Sequence, residues 1–398
     1  LYRATLVPSL WTLSLRHTCR IFQNKTVQDI VQQILEEAGI PSDRFAFRLQ
    51  NAPQPREYCV QYRETDLNFM SRLLEEEGIF YFFEHDRDKH LLVFGDGPMD
   101  YQPIPGEAEV LYRSAEMVPE EEFVFSFVMS RQMTSGKMTL QDFNFQKPSL
   151  DLKSQKQADA FSQLEVYDYP GEYLEPAQGK KLADIRLQEA VTFAESAEGK
   201  SVCPRFNPGF TFTLAEHERS SLNQDYLLVN VIHNGSQPQT LEELAGEGGS
   251  SYSNQFVCIP ASVTFRPGRN TPKPVVEGVQ TAIVTGPPRE EVYTDKHGRV
   301  KVQFHWDREG KNNDKSSCWI RVSQAWAGAG WGAMFIPRIG HEVIVDFIEG
   351  DPDRPIITGR VYHGTNIPPY TLPDDKTRST LKSDSSVCGG GFNELRFE

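Results

Sequence analysis

Asp295-Lys296-His297-Gly298-Arg299-Val300-Lys301-Val302 leads to Phe304-His305-Trp306-Asp307, and the reading of this stretch decides the fold. Val300, Val302, Phe304 and Trp306 alternate with Lys301, Gln303 and His305, the period of two that marks a strand with one face in a core. Lys296-His297-Gly298 ahead of them is turn chemistry. Working outward, apolar runs recur at residues 279–285, 299–306, 318–324, 333–337, 342–348 and 355–362. In the fifth, Val343, Val345 and Phe347 alternate with Ile344, Asp346 and Ile348. Gly328-Ala329-Gly330 and Gly350-Asp351-Pro352-Asp353 punctuate the series. Short alternating strands at this spacing, with no helix large enough to cross over, predict a small closed antiparallel barrel.

A five-stranded oligonucleotide/oligosaccharide-binding (OB) barrel fits that size. Ahead of it, residues 266–278 carry three prolines and read as an extended connector, the best domain boundary in the chain. Beyond Gly364 the sequence turns Pro-rich and polar again. On the N-terminal side, strands are predicted at 209–214 and 226–233 and a helix over 178–193. Residues 122–145 carry more strand pattern, with Phe123, Phe125 and Phe127 on one face. The stretch 234–254 is rich in Gly, Ser and Glu without periodicity, so it reads as a surface loop or a partly disordered segment.

The first forty residues read as strand, strand, helix. Trp11, Leu13 and Leu15 alternate with Thr12, Ser14 and Arg16, a half-buried strand pattern. Thr26 caps a helix, with Asp29 three positions on as an acidic form of the capping box. Val27, Ile30, Val31, Ile34 and Leu35 form its apolar face, and Gly39 with Pro41 ends it. Thr65 caps a second helix with Phe69, Met70, Leu73 and Leu74 on its face and Gly78 at its end. The two endings match closely, which a duplicated unit and a common helix ending explain equally well. Residues 79–84 and 90–94 then read as strands joined by the charged turn Asp86-Arg87-Asp88-Lys89.

Charge limits the partners. Against 41 Lys and Arg stand 55 Asp and Glu, a net charge of -14, and an acidic surface repels the phosphate backbone. No nucleic-acid partner is expected, and the partners should be proteins. The apolar runs are strand-sized, so no bilayer span is predicted, and no basic start leads into an apolar stretch as a secretory signal would. The chain begins at Leu1, which suggests a piece of something longer. Cys19, Cys59, Cys203, Cys258, Cys318 and Cys388 lie far apart with no CxxC pair, and read as buried free thiols rather than a zinc site or a disulfide framework.

Several stretches invite a chemical reading. His341-Glu342 resembles the start of a zincin helix, but position 345 is Val where the second His belongs, and the pattern is a strand's. Gly328-Ala329-Gly330-Trp331-Gly332 echoes a phosphate loop without the following Lys-Ser/Thr or helix. Asp295, Asp307, Asp351 and Asp353 lie beside Gly, Pro or Lys in turns, where an Asp side chain bonds local backbone N–H groups more readily than it serves glycoside chemistry. His85 with His90, and Asp295 with His297, read as solvated turn residues. Trp306, Trp319, Trp326 and Trp331 crowd together. Burial in the barrel or in a contact between copies accounts for them, with a stacking platform for sugars or bases as the alternative. Catalytic, cofactor-binding and metal-binding residues are therefore all read as none.

The barrel block, continued by Cys318-Trp319-Ile320-Arg321-Val322, Ala325-Trp326-Ala327-Gly328, Pro337-Arg338-Ile339-Gly340, Glu342-Val343-Ile344-Val345 and Gly359-Arg360-Val361-Tyr362-His363, resembles the valine-glycine-repeat (VgrG) spike proteins of bacterial type VI secretion systems. These are relatives of the hub and spike of contractile-tailed phages. Tyr167-Asp168-Tyr169-Pro170-Gly171 and Glu57-Tyr58-Cys59-Val60-Gln61-Tyr62 are similar to that family's hub, and Gly389-Gly390-Gly391-Phe392-Asn393-Glu394 to the start of its needle. The resemblance implies a mainly β protein with a few short helices, two hub β-barrels (the first incomplete), an OB barrel and the start of a trimeric β-helical needle. The implied division is 1–120 for the remainder of the first hub barrel with an α/β insertion, 121–275 for the second, 276–366 for the OB domain, and 367–398 for linker and needle. It also implies a non-enzymatic homotrimer without cofactors. The implied partners are a hexameric Hcp-type tube, baseplate proteins, and a PAAR-type tip cap and secreted effectors at the needle. Assembly would occur in the bacterial cytoplasm, with release outside or into target cells. A carbohydrate- or nucleic-acid-binding OB module is the alternative, and a peptidoglycan hydrolase ranks last.

Overall fold

A computed structural model describes residues 3–114, 121–237, 251–386 and 389–398. The chain divides into two compact units. The first comprises Leu1–Ile34, Gln54–Met70 and Pro272–Glu398, and the second Leu35–Pro53 and Ser71–Thr271.

The first unit is organised by a five-stranded barrel. In chain order its strands are Gln280–Thr285, Lys301–Phe304, Arg321–Val322, Glu342–Phe347 and Pro355–Val361. The first pairs antiparallel with the second and the fourth, and the fourth antiparallel with the fifth. The third runs parallel to the fifth, a departure from the all-antiparallel expectation. Closure comes from the Val300–Ile320 bridge, whose two N–H···O bonds of 3.0 and 2.8 Å join the second strand to the third. This strand order is that of an OB barrel. Alternation puts Val302, Phe304, Val343, Val345 and Phe347 inside, with Ala282, Val284, Val300, Ile320 and Ile357. The run 333–337 is not a strand. Ala333 N–H bonds Trp326 O, Phe335 N–H bonds the Gln324 side chain, and Pro337 has no N–H, so no ladder can form.

Beside the barrel, His17–Phe22 pairs antiparallel with Cys59–Thr65. Tyr62 meets Trp306 edge-on at 5.9 Å, and Gln280 links them, donating to Tyr62 OH and accepting from Trp306 Nε1. Residues 11–16, read as a strand, instead fall largely in the 3-10 helix Ser9–Leu15. Thr12 Oγ1 and Ser14 Oγ donate to the carbonyls three residues back, and Leu10 and Leu13, also three apart, are the buried pair. The capping box forms as read. Thr26 N–H and Asp29 Oδ2 are 3.0 Å apart, as are Asp29 N–H and Thr26 Oγ1, at the head of α1, Val27–Glu37. Helix α2, Asp66–Glu77, ends with Gly78 at φ +69°, a conformation that favours glycine. At the C-terminus Ser379–Asp384 and Phe392–Phe397 form an antiparallel hairpin.

The second unit holds a closed six-stranded barrel built from Glu109–Tyr112, Phe123–Arg131, Glu195–Ser201, Phe210–Ala215, Asp225–Ser236 and Ser251–Pro260. Phe206, Phe212, Tyr226, Phe256 and Cys258 fill it. A register shift opposite Lys200 and Ser201 leaves Phe125 as the extra residue, so Val124 and Phe127 face the core and Phe125 stays half-buried. That differs from one face shared by Phe123, Phe125 and Phe127. The predicted strands 79–84 and 90–94 appear as Phe80–His85 and His90–Gly95 in a three-stranded sheet with Phe45–Arg48. Another three-stranded sheet, Lys137–Leu140 with Ser154–Gln157 and Glu165–Asp168, packs Leu140 and Leu152 against Ala183 of α3, Pro176–Val191. Of the stretch 234–254, residues 234–236 and 251–254 belong to two paired strands, and 238–250 lie outside the described residues.

Candidate functional site

Asp295, Asp307 and Asp351 are held by backbone N–H groups of their own loops, whereas Asp353 is held by a backbone N–H distant in sequence. Asp295 Oδ1 accepts N–H bonds from His297 and Arg299 at 3.0 and 2.9 Å, and Oδ2 takes the Arg299 guanidinium at 2.9 Å. Burial raises its carboxyl pKa, but the Arg299 and His297 donors outweigh that and hold it below the usual value. Asp307 Oδ1 accepts from Glu309 and Gly310 N–H, while Gln303 donates to its Oδ2 and carbonyl. Asp351 accepts from Asp353 N–H, and Asp353 from Val60 N–H. Lys273 Nζ bridges their carboxylates at 2.9 and 3.3 Å. Three of the carboxylates thus clasp their own loops, and Asp353 ties its turn to the strand Cys59–Thr65.

Glu342 lies on the strand Glu342–Phe347, and His341 immediately precedes it. His341 is half-buried, with Arg338, Arg360 and His363 around it; burial first, and then these neighbours, lower its pKa from 6.5. The unfolded chain therefore binds this proton more readily, so stability is lost as pH falls below about 6.5. The thermal midpoint should drop between pH 7.5 and pH 5.5, and His341→Gln should remove part of that drop in a melt followed by tryptophan emission.

His85 and His90 form the last cross-strand pair of their hairpin, with ring centroids 6.4 Å apart. Cys59, Cys203 and Cys258 are buried and Cys19 and Cys318 half-buried, all as free thiols; Cys388 lies outside the described residues. Burial and the Glu122 side chain push the Cys203 thiol up to about 12, and burial raises Cys258 and Cys318 as well. These are thiols poorly suited to nucleophilic work at neutral pH. Among the described residues no group of three or more His, Cys, Asp or Glu could hold a metal ion, and no helix is long and apolar enough to cross a membrane.

The four tryptophans between residues 306 and 331 split into two pairs. Trp306 and Trp319 are half-buried; Trp306 stacks on Phe304 at 5.0 Å and Trp319 lies 4.9 Å from Tyr293. Trp326 and Trp331 are 63% and 59% exposed, so burial within the chain does not account for them. They cap a small loop closed by Gly328 N–H to Trp331 O at 2.8 Å and Ala333 N–H to Trp326 O at 2.9 Å. Their rings meet edge to face at 5.0 Å. A Cβ on Gly328 would lie 2.6 Å from Trp331 Cζ2 and nearer still to the ring fusion, so one face of Trp331 rests on the Gly328 backbone. With Met334 78% and Phe335 54% exposed, the loop forms a preformed apolar knob. A platform for bases or sugars needs free parallel faces, whereas this knob suits a protein contact. Its signal in the sequence was four large apolar residues among glycines without a period of two.

Comparison with known proteins places these features together. Residues 1–239 match the phage tail baseplate hub (GPD) family, and residues 284–362 the type VI secretion system/phage-baseplate injector OB domain. The type VI secretion system spike protein VgrG4b of Pseudomonas aeruginosa is 45% identical over the whole chain, which spans 50% of that protein. The actin cross-linking toxin VgrG1 of Vibrio cholerae is 44% identical over the whole chain, which spans 36% of it. For the curated relatives compared, the chain spans between 36% and 62% of their length. Among solved structures, an E. coli type VI secretion component described as similar to the T4 bacteriophage tail proteins gp27 and gp5 aligns with a TM-score of 0.62 at 23% identity. That alignment covers 89% of this chain and 76% of the other. A Francisella PdpA-VgrG complex aligns at 0.57 and 9% identity, covering 94% of this chain and 57% of the other.

Proposed function

Because the chain belongs to the baseplate hub–spike family that includes the VgrG proteins of type VI secretion systems, we propose that it works mechanically, as part of the trimeric spike at the tip of such a system. The observation that carries this reading is the presence, in one chain and in order, of a hub match and an injector OB match with 45% identity to a spike protein throughout. Three copies around one axis present six similar hub barrels to a hexameric Hcp-type tube, which reconciles threefold with sixfold symmetry. In this reading residues 1–120 and 121–275 are the hub, 276–366 the OB collar, and 367–398 the linker and first turn of a needle that carries a PAAR-type cap and effectors. Baseplate proteins bind the hub, the spike is assembled in the bacterial cytoplasm, and firing carries it outward to puncture a target envelope.

No enzymatic step is assigned. The turn carboxylates are occupied by backbone donors and cations, and the activity in the name of the Vibrio relative belongs to a protein of which this chain spans 36%. Light scattering on the full-length protein tests the proposal, with the mass of three copies as the expected result. Images down the long axis should show threefold symmetry with a sixfold-like base. A monomer at micromolar concentration overturns it.

A further inference from the structure

Within the first unit, the turn 348–354 holds three pieces of chain that lie far apart in sequence. One is the connector leading into the OB barrel. Lys273 Nζ lies 2.9 Å from Asp351 Oδ2 and 3.3 Å from Asp353 Oδ2, and Val276 N–H donates to Gly350 O at 2.8 Å. The second is the strand Cys59–Thr65, whose Val60 N–H donates to Asp353 Oδ1 at 2.6 Å. The third is the barrel itself, because the turn joins its strands Glu342–Phe347 and Pro355–Val361.

The turn is closed on itself before it holds anything else. Ile348 N–H donates to Arg354 O at 3.0 Å, Asp351 N–H to Ile348 O at 3.1 Å and Arg354 N–H to Asp351 O at 2.9 Å. Asp353 N–H donates to Asp351 Oδ1 at 2.9 Å, so the carboxylate that meets the lysine is itself fixed. A Cβ on Gly350 would lie 2.6 Å from Val275 Cγ1, so the connector packs directly on the turn. Pro272 and Pro274 flank Lys273 and stiffen the chain on either side of it. The Lys273, Asp351 and Asp353 side chains are 21%, 10% and 12% exposed, and salt screens pairs buried to that degree only weakly.

The connector runs on into the first barrel strand, Gln280–Thr285, which pairs with the second strand on one side and the fourth on the other. Displacing that strand opens the sheet in its middle. With nothing holding the chain ahead of it, a pull along the connector would arrive at Gln280 and load this ladder directly. Held at Lys273 and Val276, the chain passes the pull to the turn, which divides it between the fourth and fifth strands. Both ion pairs and the backbone bond must give before the first strand feels the tension. We propose that the turn 348–354 is a strain relief, taking tension that arrives along residues 272–276 and keeping it off the first strand of the OB barrel. This rests on the mechanical reading above for its use, though not for its bonds.

The test is single-molecule pulling on the full-length protein, with one handled copy co-expressed among unmodified ones. Azide-bearing residues for the handles replace Gly364, beyond the fifth strand, and either Asn270, ahead of the hold, or Gly278, behind it. All three positions are exposed, and a Cβ at either glycine meets nothing within 4 Å. At a fixed tension, Lys273→Met should shorten the time to first rupture about tenfold or more when the pull enters at 270, as losing charge-assisted bonds implies. When the pull enters at 278 the same substitution should leave that time unchanged. Lys273→Arg keeps the charge and should recover part of the loss at 270. Equal times for wild type and Lys273→Met at 270 overturn the proposal. Equal shortening from both entry points overturns it too, because the lysine then stabilises the barrel rather than shielding it. A monomeric mass by light scattering, with 270 and 278 differing as expected, overturns the trimeric spike and leaves the strain relief standing.

Discussion

Replacing Arg266 with Met should destabilise the second unit by about 3–5 kcal/mol, the largest single effect expected in this chain. Arg266 is buried, with Nη1 donating to Gly78 O at 2.8 Å and Asp96 O at 2.7 Å, and Nε to Gln188 Oε1 at 2.8 Å. Its own N–H bonds Thr192 Oγ1 at 3.2 Å. One guanidinium thereby joins the end of α2, the strand ending at Gly95, and α3. Burial lowers its pKa, with Asp96 opposing, yet a guanidinium remains charged at any ordinary pH. Methionine matches the stem but takes away the donors that Gly78 O, Asp96 O and Gln188 Oε1 now use. Lysine would restore the charge but not the fork, and should recover less than half of the loss. All five tryptophans (Trp11, Trp306, Trp319, Trp326 and Trp331) lie in the first unit. Urea unfolding should therefore show an earlier far-ultraviolet dichroism transition with little change in tryptophan emission. Coincident shifts in both signals would place the damage elsewhere.

Gly199→Ala is expected to be the second largest effect, about 2–3 kcal/mol from a single added methyl. Gly199 sits opposite Phe256 in the six-stranded barrel, and a Cβ there would come within 2.7 and 2.8 Å of ring atoms Cε1 and Cε2, and closer to Cζ. The ring cannot swing away freely, because Phe206 meets it edge-on at 5.0 Å and Phe212 at 5.7 Å. The glycine is the hollow that admits the ring. If so, Phe256→Leu combined with Gly199→Ala should unfold at higher urea than the sum of the two single losses implies, a coupling that a double-mutant cycle measures. Strict additivity would show that the methyl acts through the backbone instead.

That strand also explains what the sequence concealed. Glu195–Ser201 turns Ala197, Gly199 and Ser201 inward, three side chains too small to register as an apolar face. The hub barrel therefore could not be closed on paper, whereas the OB barrel could, because Val343, Val345 and Phe347 announce their side by size. Helices with a capping residue and a terminal glycine were legible for the same reason: the signals are local. Residues 11–16 and 333–337 misled because an apolar spacing of two or three fits several short structures, and backbone partners decide among them. The clasps of Asp295, Asp307 and Asp351 followed from turn chemistry, while the bond from Val60 to Asp353 is set by the tertiary fold. The exposure of Trp326 and Trp331 did not, since a tryptophan's burial depends on what folds over it rather than on its neighbours in the chain.

The first unit is assembled from three separate stretches of chain. Val60 N–H reaches its acceptor, Asp353 Oδ1, across 293 residues at 2.6 Å. On a ribosome adding about 5–20 residues per second, that bond waits roughly 15–60 s after Val60 emerges. During the delay the strands His17–Phe22 and Cys59–Thr65 can pair only with each other, while the whole of the second unit has already been made. Synthesis therefore imposes an order: the interrupting unit is complete before the last piece of the other has been made. A cell making this chain has a window in which the early strands need shelter, and slowing translation late in the message would lengthen it.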